Sequence, residues 1–288
     1  MRNKFEGTGV ALITPFDSEL EIDYTGFEKL LDFNAQGGVD YFVVNGTTGE
    51  SATTNTKEKR DLLQFVRNNN PKRLPIVYGT GGYDTRDIVE HVRNMDWNGV
   101  DALLSVSPYY NRPSQKGIVA HYTEVANACP VPVILYNVPS RTGSNMTAET
   151  TLELSQHENI IGIKEASGDF GQIVDIVAGK EDEFMLISGD DMCTVPMISM
   201  GAVGVISVLA NAFPSEMSFM TRAALQGEFS KATAFLSQLS KINPYMYVEA
   251  NPVGVKEALR QLGKCENYVR LPLVQASEEL VESIKELI

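Results

Sequence analysis

Short apolar runs rich in β-branched residues recur along the chain, at Val10 to Ile13, Tyr41 to Val44, Pro75 to Tyr78, Ala102 to Val106, Val131 to Tyr136, Ile160 to Ile163, Phe184 to Ile187 and Val203 to Val208. Between them lie segments whose apolar residues return every three or four positions, among them Tyr24 to Gln36, Lys57 to Asn68, Thr85 to Asn94, Lys116 to Ala128 and Thr147 to Gln156. The first pattern predicts buried strands and the second amphipathic helices. Strands that are apolar throughout belong to a parallel sheet covered on both faces. Eight such repeats predict an α/β chain folded as a (β/α)8 TIM barrel. An open doubly wound sheet fits less well, because Gly79, Gly81 and Gly82 do not complete a dinucleotide fingerprint. After Val208 the β-runs stop. Three helix-like stretches follow a break at Gly227, over Ser230 to Tyr247, Asn251 to Leu262 and Ser277 to Leu287. The expected division is a barrel over residues 1–227 and a C-terminal helical subdomain over 228–288.

At 288 residues, 43% hydrophobic and 21% charged, the chain has the makeup of a globular enzyme. The net charge of −13 repels a phosphate backbone or an anionic bilayer, so no nucleic acid or membrane partner is expected. The same field slows anionic substrates, which directs attention to a buried Lys or Arg. Cys129, Cys193 and Cys265 are odd in number and far apart, which suits a reducing, cytoplasmic location rather than a disulfide framework. No stretch approaches about 18 uninterrupted apolar residues.

In a barrel of this kind the reactive groups gather at the C-terminal ends of the strands. The second run ends in GTTGES (46–51), the fourth in SPYYNRPSQ (107–115) and the fifth in YNVPSRTG (136–143). The sixth leads directly into Lys164, which places an ammonium at the inner end of a buried strand. Desolvation there lowers a lysine from its usual pKa of about 10.4 and leaves a nucleophilic amine. The alternative is a Lys164 that reaches solvent or pairs with Glu165. Tyr136 is either a proton shuttle facing Lys164 or a packing residue of the rim. Thr47 and Thr48 either bind a carboxylate and pass protons or only form a turn. Arg141 suits bidentate capture of a carboxylate, a surface position being the alternative. His91, His121 and His157 lack metal-ligand spacing and are expected at solvated helix positions. Asp190 and Asp191 are expected to hydrogen-bond at a strand end, and no metal is expected.

Taken together, GTTGES, PYYNRPSQ, YNVPSRTG, IGIKEASG, SGDD and ANPVGVKEAL resemble the dihydrodipicolinate synthase family, and the match covers almost the whole chain. The resemblance implies a lyase of lysine and diaminopimelate biosynthesis that condenses pyruvate with L-aspartate 4-semialdehyde. It makes Lys164 the Schiff-base residue and Tyr136 the shuttle, with Thr47 and Tyr110 completing a relay in which Tyr110 crosses a dimer interface. It assigns Thr48 to the pyruvate carboxylate, Arg141 to the aldehyde's carboxylate, and Gly189 and Ile206 to the pocket wall. No cofactor is implied beyond the imine with pyruvate, and the implied assembly is a homotetramer of two dimers. At the effector pocket of lysine-inhibited members, Ser51, Ala52 and Tyr109 match, whereas Thr56, Lys59, Tyr83 and Asp87 depart, which implies weak or absent feedback. Two rivals remain. N-acetylneuraminate lyase or a keto-deoxy sugar-acid aldolase shares the scaffold but has no evident use for Arg141. A keto-acid-binding protein without turnover has no need of the full proton relay.

Overall fold

The protein is described by a computed structural model covering residues 4–288. Eight parallel strands close a barrel in sequence order. They are β1 (Gly7–Ala11), β2 (Tyr41–Val44), β3 (Ile76–Thr80), β4 (Ala102–Val106), β5 (Val133–Asn137), β6 (Ile160–Glu165), β7 (Met185–Ser188) and β8 (Gly204–Ser207). β8 returns to β1 through the register Gly7 to Gly204 and Val10 to Ser207. All five named helical segments are present, Thr85–Asn94 with the expected bounds and the others shifted by one or two residues. Helices Phe170–Gly179, Thr194–Ser199 and Pro214–Leu225 complete the repeats.

Strand parity sorts the core into two parts. Val43, Val77, Leu104, Ile134, Tyr136, Ile187 and Ile206 pack together inside the barrel. Their neighbours Phe42, Val44, Tyr78, Leu103, Leu135, Leu186 and Val205 face outward against the helices. This two-sided burial is why the strands read as continuous apolar runs rather than alternating ones. Helix starts are fixed by side-chain caps. Asn55 accepts from the amides of Lys57 and Glu58 while Glu58 bonds back to the Asn55 amide, closing a capping box after the GTTGES loop.

Helices Pro214–Leu225 and Phe229–Leu239 are joined through Gly227, whose φ of 78° suits a residue without a Cβ. The stretch expected as one helix over 230–247 is broken. Its helix ends at Leu239, and a 3-10 turn over Asn243–Met246 follows, because Pro244 cannot donate to a continuing helix. The helices Val253–Gln261 and Glu278–Lys285 contribute Val253, Leu259, Leu280 and Ile284 to the same outer core as the barrel helices. Among the described residues no helix is long and apolar enough to cross a membrane.

Candidate active site

Lys164 lies within β6, not after it, because the strand continues through Glu165. Tyr136 and Lys164 are register partners across β5 and β6, as are Asn137 and Glu165. Partners point to the same side of a sheet, so Tyr136 and Lys164 project into the barrel and Asn137 and Glu165 out of it. Glu165 is fully occupied there, accepting from Asn137 Nδ2 at 3.0 Å, Gln172 Nε2 at 3.0 Å and the Ser167 amide at 2.6 Å. The pairing of Lys164 with Glu165 is thereby excluded. Lys164 is 5% exposed, and its Nζ sits 4.3 Å from the centroid of the Tyr136 ring. Among the described residues no carboxylate reaches it at ion-pair distance.

Burial pulls the Lys164 amine down to about 8, opposed by Asp191 and reinforced by Arg141. A useful fraction of free amine is therefore present near neutrality. Burial also pushes the Tyr136 phenol up to about 12, with Arg141 opposing, so that it stays protonated and able to donate. Gly189 closes the wall against Lys164. A Cβ there would stand 2.6 Å from Ala166 Cβ and 3.1 Å from Lys164 Cε, so a side chain would clash with Ala166 and crowd the lysine.

These groups open into a cavity of about 700 Å³ lined by Thr47, Thr48, Tyr136, Arg141, Lys164 and Gly189. Arg141 occupies the last turn of the short helix Pro139–Thr142 above β5. Two predicted residues are not in the lining. Ile206 lies deeper, in the barrel-interior cluster with Tyr136. Tyr110 is 88% exposed with a left-handed φ of 68°, its ring 6.4 Å from that of Tyr83. Asp191 is held by the amides of Val208 and Leu209, and burial raises its carboxyl to about 6, as expected of a strand-end hydrogen-bonding role. Among the described residues no three His, Cys, Asp or Glu side chains gather as a metal site. The histidines are less solvated than expected. His121 is buried, its Nδ1 2.9 Å from Thr85 Oγ1, and desolvation lowers it to about 4. His91 stacks on Tyr78 and lines the cavity.

The C-terminal segment supplies residues that sequence reasoning assigned no role. Asn251 Nδ2 donates to Thr48 Oγ1 at 3.0 Å, orienting that hydroxyl, and Tyr247 and Asn243 line the same cavity. Lys256 Nζ bonds Glu50 Oε1 at 2.6 Å and the Tyr268 carbonyl at 2.7 Å, which ties ANPVGVKEAL to GTTGES. Lys256 and Glu50 each set a charge within a run of apolar or small residues, and that is the sequence signal for this tie. Ser51, Ala52, Thr56, Lys59 and Tyr109 line an extension of the cavity, with the Tyr83 ring edge-on to Tyr109 at 5.7 Å.

The model of the dihydrodipicolinate synthetase family matches residues 4–288. The chain belongs to that family. It is 52% identical to a 4-hydroxy-tetrahydrodipicolinate synthase of Cytophaga hutchinsonii, over 98% of this chain and 95% of that protein. The dihydrodipicolinate synthase structure from Aquifex aeolicus superposes with a TM-score of 0.94 at 38% identity, covering 98% of this chain and 97% of that one. Another solved structure, described as the first monomeric dihydrodipicolinate synthase variant, gives 0.95 at 35% identity over 99% and 96%. Family membership makes the protein a lyase of the Schiff-base-forming type and favours the synthase over the sugar-acid alternatives.

Proposed function

We propose that the protein condenses pyruvate with L-aspartate 4-semialdehyde through an imine on Lys164, giving 4-hydroxytetrahydrodipicolinate. The observation that carries this reading is the unpaired Lys164 amine beside the Tyr136 phenol at the barrel mouth. The amine adds to the pyruvate ketone, and Tyr136 delivers the proton with which the carbinolamine hydroxyl leaves as water. Loss of a methyl proton converts the iminium to an enamine, whose carbon attacks the aldehyde. The substrate amine then adds to the imine carbon and displaces Lys164, so the enzyme is regenerated without an external cofactor.

In this reading Thr48 holds the pyruvate carboxylate and Arg141 that of the aldehyde, while Gly189 and Ile206 shape the pocket around them. Thr47 and Tyr110 carry protons to and from Tyr136. Tyr110 is exposed and outside its own cavity, which supports service to a neighbouring copy's site; in this reading a dimer is the working unit and a homotetramer the assembly. Three free cysteines suit a reducing cytoplasm.

Reduction with borohydride in the presence of pyruvate, followed by peptide mapping, tests the reading alongside a turnover assay with the semialdehyde. The expected result is a pyruvyl adduct on Lys164 together with turnover. Absence of the adduct overturns the mechanism, and an adduct without turnover overturns the choice of aldehyde.

A further inference from the structure

One wall of the cavity is built by a segment that none of the expected roles uses. Tyr247 follows the 3-10 turn Asn243–Met246, and with Asn243 and Asn251 it lines the cavity that also holds Arg141. Tyr247 is exposed along one side, yet burial raises its phenol well above the usual value. Asp191, Asp190 and Tyr136 add to that rise and Arg141 opposes it. Among the described residues the phenol has no hydrogen-bond partner.

Its neighbours are in the same condition. Asn243 Oδ1 and Asn251 Oδ1 are buried without a partner, although nearly all buried polar atoms in folded proteins have one. The Asn251 amide is fixed in orientation because its Nδ2 is already given to Thr48, so what it presents is an acceptor. Asn45 Oδ1 is also unpartnered, but that residue belongs to the β2 end and is held there by Tyr78 and Gly79. The 243–251 wall thus offers two amide oxygens and a phenol, in the cavity that also holds Arg141 and Asp190.

We infer that the Asn243, Tyr247 and Asn251 wall is the binding site for the ammonium group of the aldehyde substrate. The inference rests on the proposed condensation and specifies how its second substrate is recognised. A carboxylate on Arg141 and an ammonium on this wall fix two substituents of one carbon, which orients the aldehyde toward the enamine and selects one hand of an α-amino acid. An acceptor without the amine keeps only the Arg141 contact.

The experiment compares L-aspartate 4-semialdehyde as substrate with succinate semialdehyde, which has the same aldehyde and carboxylate but no amine, as a competitor. In Tyr247→Phe and Asn243→Ala the KM for the amino aldehyde is expected to rise about tenfold while the inhibition constant of succinate semialdehyde stays within about twofold. Asn243→Asp, which keeps an acceptor and adds charge, is expected to restore the KM. Borohydride trapping of pyruvate in each variant reports whether Lys164 is still competent. Equal weakening of both ligands, no change in either, or no recovery in Asn243→Asp overturns the inference. A wild-type protein that traps no pyruvate overturns the underlying reading instead.

Discussion

Lys164 and Lys256 are both buried, at 5% and 0% exposure, and both ammonium groups lie over an aromatic ring, 4.3 Å from Tyr136 and 4.2 Å from Phe16. They differ in what answers the charge. Lys256 meets Glu50 at 2.6 Å and the Tyr268 carbonyl, while Glu50 also accepts the Arg270 amide at 3.0 Å. Lys164 has only the distant field of Asp191, against which Arg141 works. One environment makes a lysine a cross-link and the other makes it a nucleophile, although burial is nearly equal. The degree of burial alone therefore does not identify a reactive lysine; the missing counter-charge does.

The sharpest way to break the comparison is to remove each lysine in turn. Lys164→Ala should lower turnover by on the order of 10³-fold or more and abolish borohydride trapping, with the melting transition retained. Lys256→Met leaves Glu50 buried and unpaired and should cost about 3–5 kcal/mol in denaturant unfolding. The double variant Glu50→Gln with Lys256→Met should recover part of that loss, since no uncompensated charge remains. If Lys256→Met unfolds like the wild type, the cross-link reading fails.

A smaller effect concerns titration. The free-amine fraction of Lys164 grows as pH rises through about 8, so the rate of imine formation with pyruvate should climb across that range. Asp191 is the group that holds the amine up, so Asp191→Asn should move this rise to lower pH, read from single-turnover rates against pH. A shift to higher pH would contradict the assignment. The smallest expected response is to L-lysine. Lys59 lines the cavity with no carboxylate at ion-pair distance among the described residues, and it repels a second ammonium. Half-inhibition should not occur below about 1 mM, and submillimolar inhibition in steady-state assays would sink this expectation.

The same contrast explains what was legible in the sequence. Lys164 stands out because a charge interrupts an apolar strand, and Tyr136 because it ends the neighbouring one. The strand runs were readable for a related reason, being apolar on both faces. Their ends were less so. β1 starts at Gly7, where Gly-Thr-Gly carries no apolar signal, and β6 runs on through Lys164 and Glu165, whose charges suggest a loop. Asn243, Tyr247 and Asn251 were not legible as site residues, since polar side chains in a helix-like stretch usually face water. Only the turn enforced by Pro244 and the docking of the segment across the barrel mouth bring them inward. His121 was misjudged for the opposite reason, as its helix buries one more position than its polarity suggests.

The Lys256–Glu50 tie has a bearing on how the chain is made. During synthesis all eight strands leave the ribosome well before Lys256, so Glu50 is made long before the cation that meets it. The GTTGES loop and the Asn45 before it, with left-handed φ values of 54° at Glu50 and 61° at Asn45, are held at that stage by Thr14 on the Gly49 carbonyl and Asn45 on the Gly79 carbonyl, but Glu50 lacks its cation. Arrival of the last segment settles the loop and delivers Asn251 to Thr48 in the same event. A chain that stops short of this segment therefore lacks both the cation that answers Glu50 and the amide that orients Thr48.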